Sequence, residues 1–183
     1  MGLAKTYLLA YNAALIAGWA YVLVLASVAF VKHGPDSVYD AVEVPLLAAQ
    51  TAACLEVVHA IFGIARSPVL VTAMQVSSRL MVVWGVLWVS PPSRTATLVF
   101  GNVFGTEIGL GVPSLLVCWG ITECVRYSFY FCKLRGKVPP FIVWARYSFF
   151  ILLYPLGVSS ELWCAYSGFS HLVNSGRWSL PMP

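Results

Sequence analysis

From Tyr7 to Val31 the chain runs for 25 residues without a charged side chain, longer than the ~20 that carry an α-helix across the hydrocarbon core of a bilayer. Within lipid every backbone N–H and C=O must be satisfied, which leaves a helix or a closed barrel; an uninterrupted run of this length is a helix. Lys5 is the only basic residue ahead of it, and no small-residue cleavage site follows, which argues against a removable signal peptide. Only 10% of the 183 residues are charged, against roughly 25% in a soluble domain, so the chain reads as one integral membrane domain. The net charge of +4 is small and the basic residues fall between apolar runs, a mark of topology rather than of a nucleic-acid surface.

The later apolar runs are less clean. His33-Gly34-Pro35-Asp36 breaks the first helix, and Asp36, Asp40 and Glu43 make the first loop acidic. A second run, Val44 to Ile64, contains Glu56 and His59 and ends at Arg66-Ser67-Pro68; a third, Val69 to Val89, carries Gln75 and Arg79 and stops at Pro91-Pro92. Leu98 to about Tyr130 is too long for one simple span. Its crossing part is expected near Ile108 to Glu123, preceded by a re-entrant or interfacial piece. Beyond Lys133-Leu-Arg-Gly-Lys137 and Pro139-Pro140, Phe141 to about Tyr166 makes a fifth span. The rest is too polar and too broken by Gly and Pro to cross a bilayer. The expected fold is all-α, a polytopic transmembrane helix bundle of five spans.

Short cytosolic loops are enriched in Lys and Arg. With the N-terminus inside, that side holds Lys5, Arg66, Arg126, Lys133, Arg135 and Lys137, against Lys32, Arg94 and Arg177 outside. A cytosolic N-terminus is therefore expected, with the C-terminus on the outer side. The five cysteines show no CxxC or Cys/His metal spacing, and none is followed six residues later by the arginine of a phosphatase loop. They read as packing residues.

Ionisable groups at membrane depth are expensive and mark functional sites by default. Glu56 and His59 are three apart and Gln75 and Arg79 four apart, so each pair shares a helix face. If the two helices form a hairpin, Glu56 and Arg79 lie at similar depth and are expected to pair, either as a clamp between helices or as a ligand or headgroup contact. His59 with one carboxylate falls short of the four ligands zinc wants. Glu123, Arg126, Tyr127 and Tyr130 read as anchors snorkelling at the cytosolic end of the fourth span, with Arg126 and Tyr127 equally open to contact with an acyl-donor headgroup. Trp84, Trp88, Trp119, Trp144 and Trp163 read as belt and packing residues.

Tyr147, Tyr154 and Glu161 are each seven apart, which returns to within ~20° of one helix face. Pro155 and Gly157 should kink the helix at Tyr154, and a phenol and a carboxyl group facing one cavity can act as a general acid–base pair. Against this, a straight helix from Phe141 would carry Glu161 ~30 Å along its axis, to the far interface.

Four ordered blocks resemble one known family: Leu55-Glu-Val-Val-His-Ala-Ile-Phe-Gly63, Gln75-Val-Ser-Ser-Arg79, Thr122-Glu-Cys-Val-Arg-Tyr-Ser-Phe-Tyr130 and Arg146-Tyr-Ser-Phe-Phe-Ile-Leu-Leu-Tyr-Pro-Leu-Gly-Val-Ser-Ser-Glu161. The family is that of the very-long-chain (3R)-3-hydroxyacyl-CoA dehydratases, also called protein-tyrosine-phosphatase-like membrane proteins. The resemblance implies a hydro-lyase of the endoplasmic reticulum membrane that converts a (3R)-3-hydroxyacyl-CoA to a trans-2-enoyl-CoA, the third step of very-long-chain fatty acid elongation. It implies Tyr154 and Glu161 as the catalytic residues. It implies no cofactor or metal, and as partners the acyl-CoA substrate, the bilayer, an elongase, a ketoacyl-CoA reductase and an enoyl-CoA reductase. Glu56, Gln75, Arg79, Arg126, Tyr127 and Tyr147 are the expected substrate-binding or structural polar residues.

Members of the resembled family continue into a sixth helix, whereas this chain ends in a tail around Gly168 to Pro183. The expectation is thus a dehydratase-like domain over 1–166 and a short non-family tail over 167–183, with a catalytically inactive elongase scaffold as the alternative function. A channel or transporter using Glu56, Arg79 and Glu161 is a third reading, one that lacks the repeat and the paired broken helices of transporters.

Overall fold

The seam that organises the bundle is written on the first helix. Its buried residues Leu8, Asn12, Leu15, Trp19, Val22, Ala26 and Ala29 alternate steps of four and three, the spacing of a helix packed along one stripe. The remaining faces stay apolar and exposed, with Tyr21, Val24 and Val28 open to the surroundings, as befits a helix solvated by lipid. In this computed structural model residues 2–65, 67–103 and 105–174 are described.

Helix α1 spans Leu3–His33, and after a 3₁₀ turn at Pro35–Ser37 the chain returns through α2 (Val38–Ala52) and α3 (Cys54–Ile61). Asp40 and Glu43, expected in a loop, lie on α2, because Pro35 starts the turn at once and α2 opens at Val38. Helix α4 (Val69–Leu80) runs into a π-helical segment at Met81–Leu87, and the short α5 (Pro91–Thr95) follows. The prolines expected only to stop the third span therefore open a helix, where a missing N–H does no harm.

The chain is not purely helical. Strands β1 (Leu98–Val103) and β2 (Thr106–Leu110) pair antiparallel, with an irregularity in register between Val99 and Gly101. This hairpin stands where a re-entrant or interfacial piece was expected, and Asn102 Oδ1 accepts the Gly105 N–H within its turn at 2.9 Å. The fourth long helix, α6, spans Val112–Arg135 instead of ending near Glu123, and Gly136 closes it in the left-handed region at φ 96°. Helices α7 (Pro140–Ser148) and α8 (Phe150–Asn174) follow, bent by 44° at Phe149. The bend precedes Pro155, which stays inside α8. A proline ring disturbs the turn before it, pressing on the carbonyl four residues back, here Ile151. Helix α8 runs on to Asn174, well past Tyr166.

Three helical stretches, Leu3–His33, Pro35–Ile61 and Val69–Leu87, are long and apolar enough to cross a membrane, and the bent pair α7–α8 is a fourth when taken as one span. Helix α6 is 24 residues long, sufficient by length, but carries Glu123, Arg126, Lys133 and Arg135. It runs antiparallel to α1: a Cβ added at Gly120 would strike Leu23, and Tyr11 meets Tyr127 edge-on at 6.2 Å. Helix α8 packs across α6, held at Ser114–Ser160 (2.8 Å), and its end presses on α5, where a Cβ on Gly168 would meet Ser93 Oγ at 1.9 Å. Arg66, the expected turn residue, and Arg177 in the tail lie outside the described residues.

Candidate active site

Residues from α1, α2, α3, α4, α6 and α8 enclose a cavity of about 360 Å³. Of the polar residues singled out in the sequence it receives Glu56, Gln75, Arg79, Arg126, Tyr127, Tyr154 and Glu161. Tyr147 is absent from its lining and is 62% exposed on α7. The bend at Phe149 separates it from Tyr154 and Glu161, so the expected three-residue stripe is cut to two.

The charged floor is a four-membered network. Arg126 forks onto Glu56, with Nη1 donating to Oε2 at 2.5 Å and Nη2 to Oε1 at 2.8 Å, and its Nε donates to Glu123 Oε2 at 2.9 Å. Arg79 Nη1 donates to Glu123 Oε1, and Tyr127 Oη donates to Glu56 Oε1. The expected Glu56–Arg79 pair is therefore not formed. Glu56 binds Arg126 and Arg79 binds Glu123, because α6 offers an acid and a base one turn apart, and a guanidinium satisfies two carboxylates at once. Nor do Glu123 and Tyr127 snorkel: they are 2% and 1% exposed. A charge buried this fully has to be paired, and Glu123 takes both arginines.

Glu161 lies beside that network without joining it. Its Oε1 accepts a hydrogen bond from Trp119 Nε1 at 2.8 Å, a neutral donor, and it forms no ion pair among the described residues. Trp119, expected only to pack, thus orients the carboxylate, and the Arg79 guanidinium lies over its indole ring at 5.5 Å from the centroid. Glu161 does not mark a helix end, since α8 continues for 13 residues beyond it, which is ~20 Å. Gly157 lets α8 approach α6 closely enough that an added Cβ would stand 3.4 Å from Cys118 Cβ. Tyr154 sits two turns before Glu161 and is 70% exposed, at the rim of the cavity.

Two further features escaped the sequence reading. Gln50 on α2 lines the cavity at 2% exposure, and its Nε2 has no hydrogen-bond partner among the described residues. Tyr7 Oη meets His59 Nε2 at 2.9 Å, His59 stands edge-on to Tyr11 at 4.9 Å, and Tyr11 leads on to Tyr127. The signal for Gln50 was an amide in an apolar run; for Tyr7 and Tyr11 nothing in the spacing distinguished them from interfacial tyrosines.

The arrangement offers one carboxylate with no ion pair among the described residues, one phenol at the mouth and a neutralised charged floor. That set can transfer protons to and from a ligand held between α4, α6 and α8.

Comparison with known proteins identifies the family. The family model for protein tyrosine phosphatase-like protein, PTPLA, matches residues 50–183. The very-long-chain (3R)-3-hydroxyacyl-CoA dehydratase PASTICCINO 2 of Arabidopsis thaliana is 42% identical over 180 residues, covering 98% of this chain and 76% of that protein. The very-long-chain (3R)-3-hydroxyacyl-CoA dehydratase hpo-8 of Caenorhabditis elegans is 41% identical, covering 98% of this chain and 77% of its own. Very-long-chain (3R)-3-hydroxyacyl-CoA dehydratase 2 of Homo sapiens is 36% identical, covering 99% and 66%. No solved structure matches the chain. On the extent of the family match and on identities of this size across nearly its whole length, the chain belongs to the protein tyrosine phosphatase-like family that includes these dehydratases.

Proposed function

We propose that this chain is a hydro-lyase that dehydrates long- and very-long-chain (3R)-3-hydroxyacyl-CoA to trans-2-enoyl-CoA, the third step of fatty acid elongation. The observation that carries the proposal is that Tyr154 and Glu161 line one cavity in which Glu161, alone among the three cavity carboxylates, has no ion pair among the described residues. The family relatives, named as dehydratases of this substrate class, support the same reaction.

Glu161 is the base. It takes a proton from the carbon next to the thioester carbonyl, and the electron pair left behind forms the double bond to C3. The C3 hydroxyl departs as it receives the Tyr154 proton, so one water is released and the tyrosine regains its proton from Glu161 or solvent. General acid–base pairs of this kind supply on the order of 10²–10⁴-fold each. The two groups are two helical turns apart, ~10 Å along α8; the reacting carbons lie between them, with Trp119 fixing one end. Glu56, Glu123, Arg79 and Arg126 cancel one another's charge and hold the walls in place. Gln75 and Thr122 supply polar lining.

The same proposal places the protein in the endoplasmic reticulum membrane as a multi-pass chain with a cytosolic N-terminus, working beside an elongase, a ketoacyl-CoA reductase and an enoyl-CoA reductase. Supporting the orientation, Lys5 and Arg135 line one recess at the same end of the α1–α6 pair, and cations concentrate on the cytosolic side of membrane proteins.

The test is turnover by the purified chain in lipid nanodiscs, supplied with the (3R) and (3S) forms of a long-chain 3-hydroxyacyl-CoA and read by mass spectrometry. Loss of one water from the (3R) form, with the (3S) form left intact, is expected. No enoyl product from either form contradicts the proposal.

A further inference from the structure

Helix α2 reaches the reaction cavity through Gln50, which is 2% exposed and whose Nε2 has no hydrogen-bond partner among the described residues. A buried amide without a partner has given up its bonds to water and gained none in exchange, so its presence calls for an explanation. Packing does not supply one. Around it α2 buries Val42, Leu46 and Ala49, and an apolar residue at position 50 would have continued that stripe. The neighbouring side chain is engaged differently: Thr51 Oγ1 accepts Trp84 Nε1 at 3.2 Å, which pins α2 to the π-helical segment and fixes its rotation.

The level of Gln50 in the cavity follows from the ion network. Helices α2 and α6 both run antiparallel to α1, so their residues advance in the same direction. Glu56, on α3, meets Arg126 and Tyr127 of α6. Gln50 lies six residues before Glu56, and Trp119 lies seven before Arg126, which places them ~9 Å and ~10 Å back from that shared level. Gln50 and Trp119 therefore stand at one height on two walls of the cavity. Trp119 is the residue that holds Glu161, so the partnerless amide faces the cavity at the height of that carboxylate.

The stronger donors near that height are engaged. Trp119 Nε1 is taken by Glu161, Arg79 binds Glu123 and lies over the Trp119 ring, and Arg126 bridges Glu56 and Glu123. A neutral donor also suits the position, because a further cation beside Glu161 would favour its charged form and weaken it as a base.

We propose that Gln50 Nε2 donates to the thioester carbonyl oxygen of the bound acyl-CoA and stabilises the negative charge that gathers there as Glu161 takes the C2 proton. The proposal rests on the dehydratase reading and deepens it by assigning the oxyanion donor. The electron pair of the C2–H bond moves towards the thioester oxygen, then returns to form the C2–C3 double bond as the C3–O bond breaks and the hydroxyl leaves with the Tyr154 proton. A donor aimed where charge develops acts mainly on the transition state, and an amide without a protein partner breaks no bond to serve it.

Full chains of wild type, Gln50→Met, Gln50→Leu and Thr51→Val are reconstituted in nanodiscs. Calorimetry compares two CoA derivatives that cannot lose water: a saturated long-chain acyl-CoA and the thioether in which a methylene replaces its carbonyl. Wild type is expected to bind the thioester about fivefold more tightly, the measure of one neutral hydrogen bond. Both Gln50 variants should bind the two alike. Thr51→Val, which loses the bond to Trp84, should lower the thermal transition and keep the preference. With a (3R)-3-hydroxyacyl-CoA, the Gln50 variants should lose kcat by on the order of 10²–10³-fold, with KM raised no more than about fivefold. Equal binding of thioester and thioether by wild type overturns the proposal. So does a preference that survives in both Gln50 variants, or that disappears in Thr51→Val as well, and so does an unchanged kcat. If wild type dehydrates no substrate, the dehydratase reading fails by itself, and the thioester–thioether comparison still decides whether Gln50 holds the carbonyl.

Discussion

Trp119 Nε1 on α6 donates to Glu161 Oε1 on α8 at 2.8 Å, and this bond is what turns a carboxylate on a membrane helix into an oriented group. Trp119→Phe keeps the ring packing and removes the donor. A hydrogen bond to a charged group contributes about 1.5–3 kcal/mol, which corresponds to roughly 10–100-fold in rate. The variant is expected to lose kcat by up to that factor and to remain folded with a modestly lowered thermal transition, since Ser114–Ser160 still ties α6 to α8. Undiminished turnover would remove Trp119 from the site.

The ion network predicts an order of stabilities. Glu123 is the more deeply buried acid and serves both arginines, so Glu123→Gln leaves two cations short of a partner. Breaking a buried pair in this way costs about 3–5 kcal/mol. A second change, Arg79→Met, removes one stranded cation and is expected to recover part of the loss, read as a non-additive double-mutant cycle. Simple additivity of the two losses would mean that the pair is not coupled.

Gly157 marks how close α8 must come to α6. An Ala Cβ at that position stands at ordinary contact, 3.4 Å from Cys118 Cβ, so Gly157→Ala is expected to be nearly neutral. Gly157→Leu forces the helices apart at an overpacking cost of about 1–3 kcal/mol and pulls Glu161 from Trp119. Activity should fall with the Leu variant and hold with the Ala variant; equal effects from both would place the constraint elsewhere.

Gln50 separates structure from function. Its Nε2 is buried without a partner among the described residues, and replacing an unsatisfied amide by an apolar group of similar shape is near neutral for stability. Gln50→Met should therefore leave the thermal transition in place. If the amide serves the bound thioester, KM or kcat changes all the same; if both stay constant, Gln50 is only lining.

The long uncharged run, the intramembrane polar residues and the placement of Tyr154 and Glu161 on one helix could be read directly, because lipid imposes length and polarity rules that a single sequence displays. Partner choice could not. Similar depth made Glu56 and Arg79 look like a pair, but depth fixes only one coordinate, and the rotation of α6 decided which guanidinium each carboxylate met. The end of α8 was misjudged for a related reason: Ser167, Gly168 and Asn174 look helix-breaking in isolation, yet Gly168 is the residue that permits contact with Ser93. Trp119 was passed over because a tryptophan in an apolar helix has many uses, and only the position of Glu161 across the interface selects this one.

Tyr154→Phe and Glu161→Gln, each purified as the full chain in nanodiscs and assayed for conversion of a long-chain (3R)-3-hydroxyacyl-CoA to the enoyl product, provide the most direct measurement. Each removes one proton-transfer group with little change of shape, so loss of kcat by on the order of 10²–10⁴-fold with an unchanged thermal transition is the predicted result. Wild-type turnover in both variants would contradict the assignment of Tyr154 and Glu161 as the acid and base of this site.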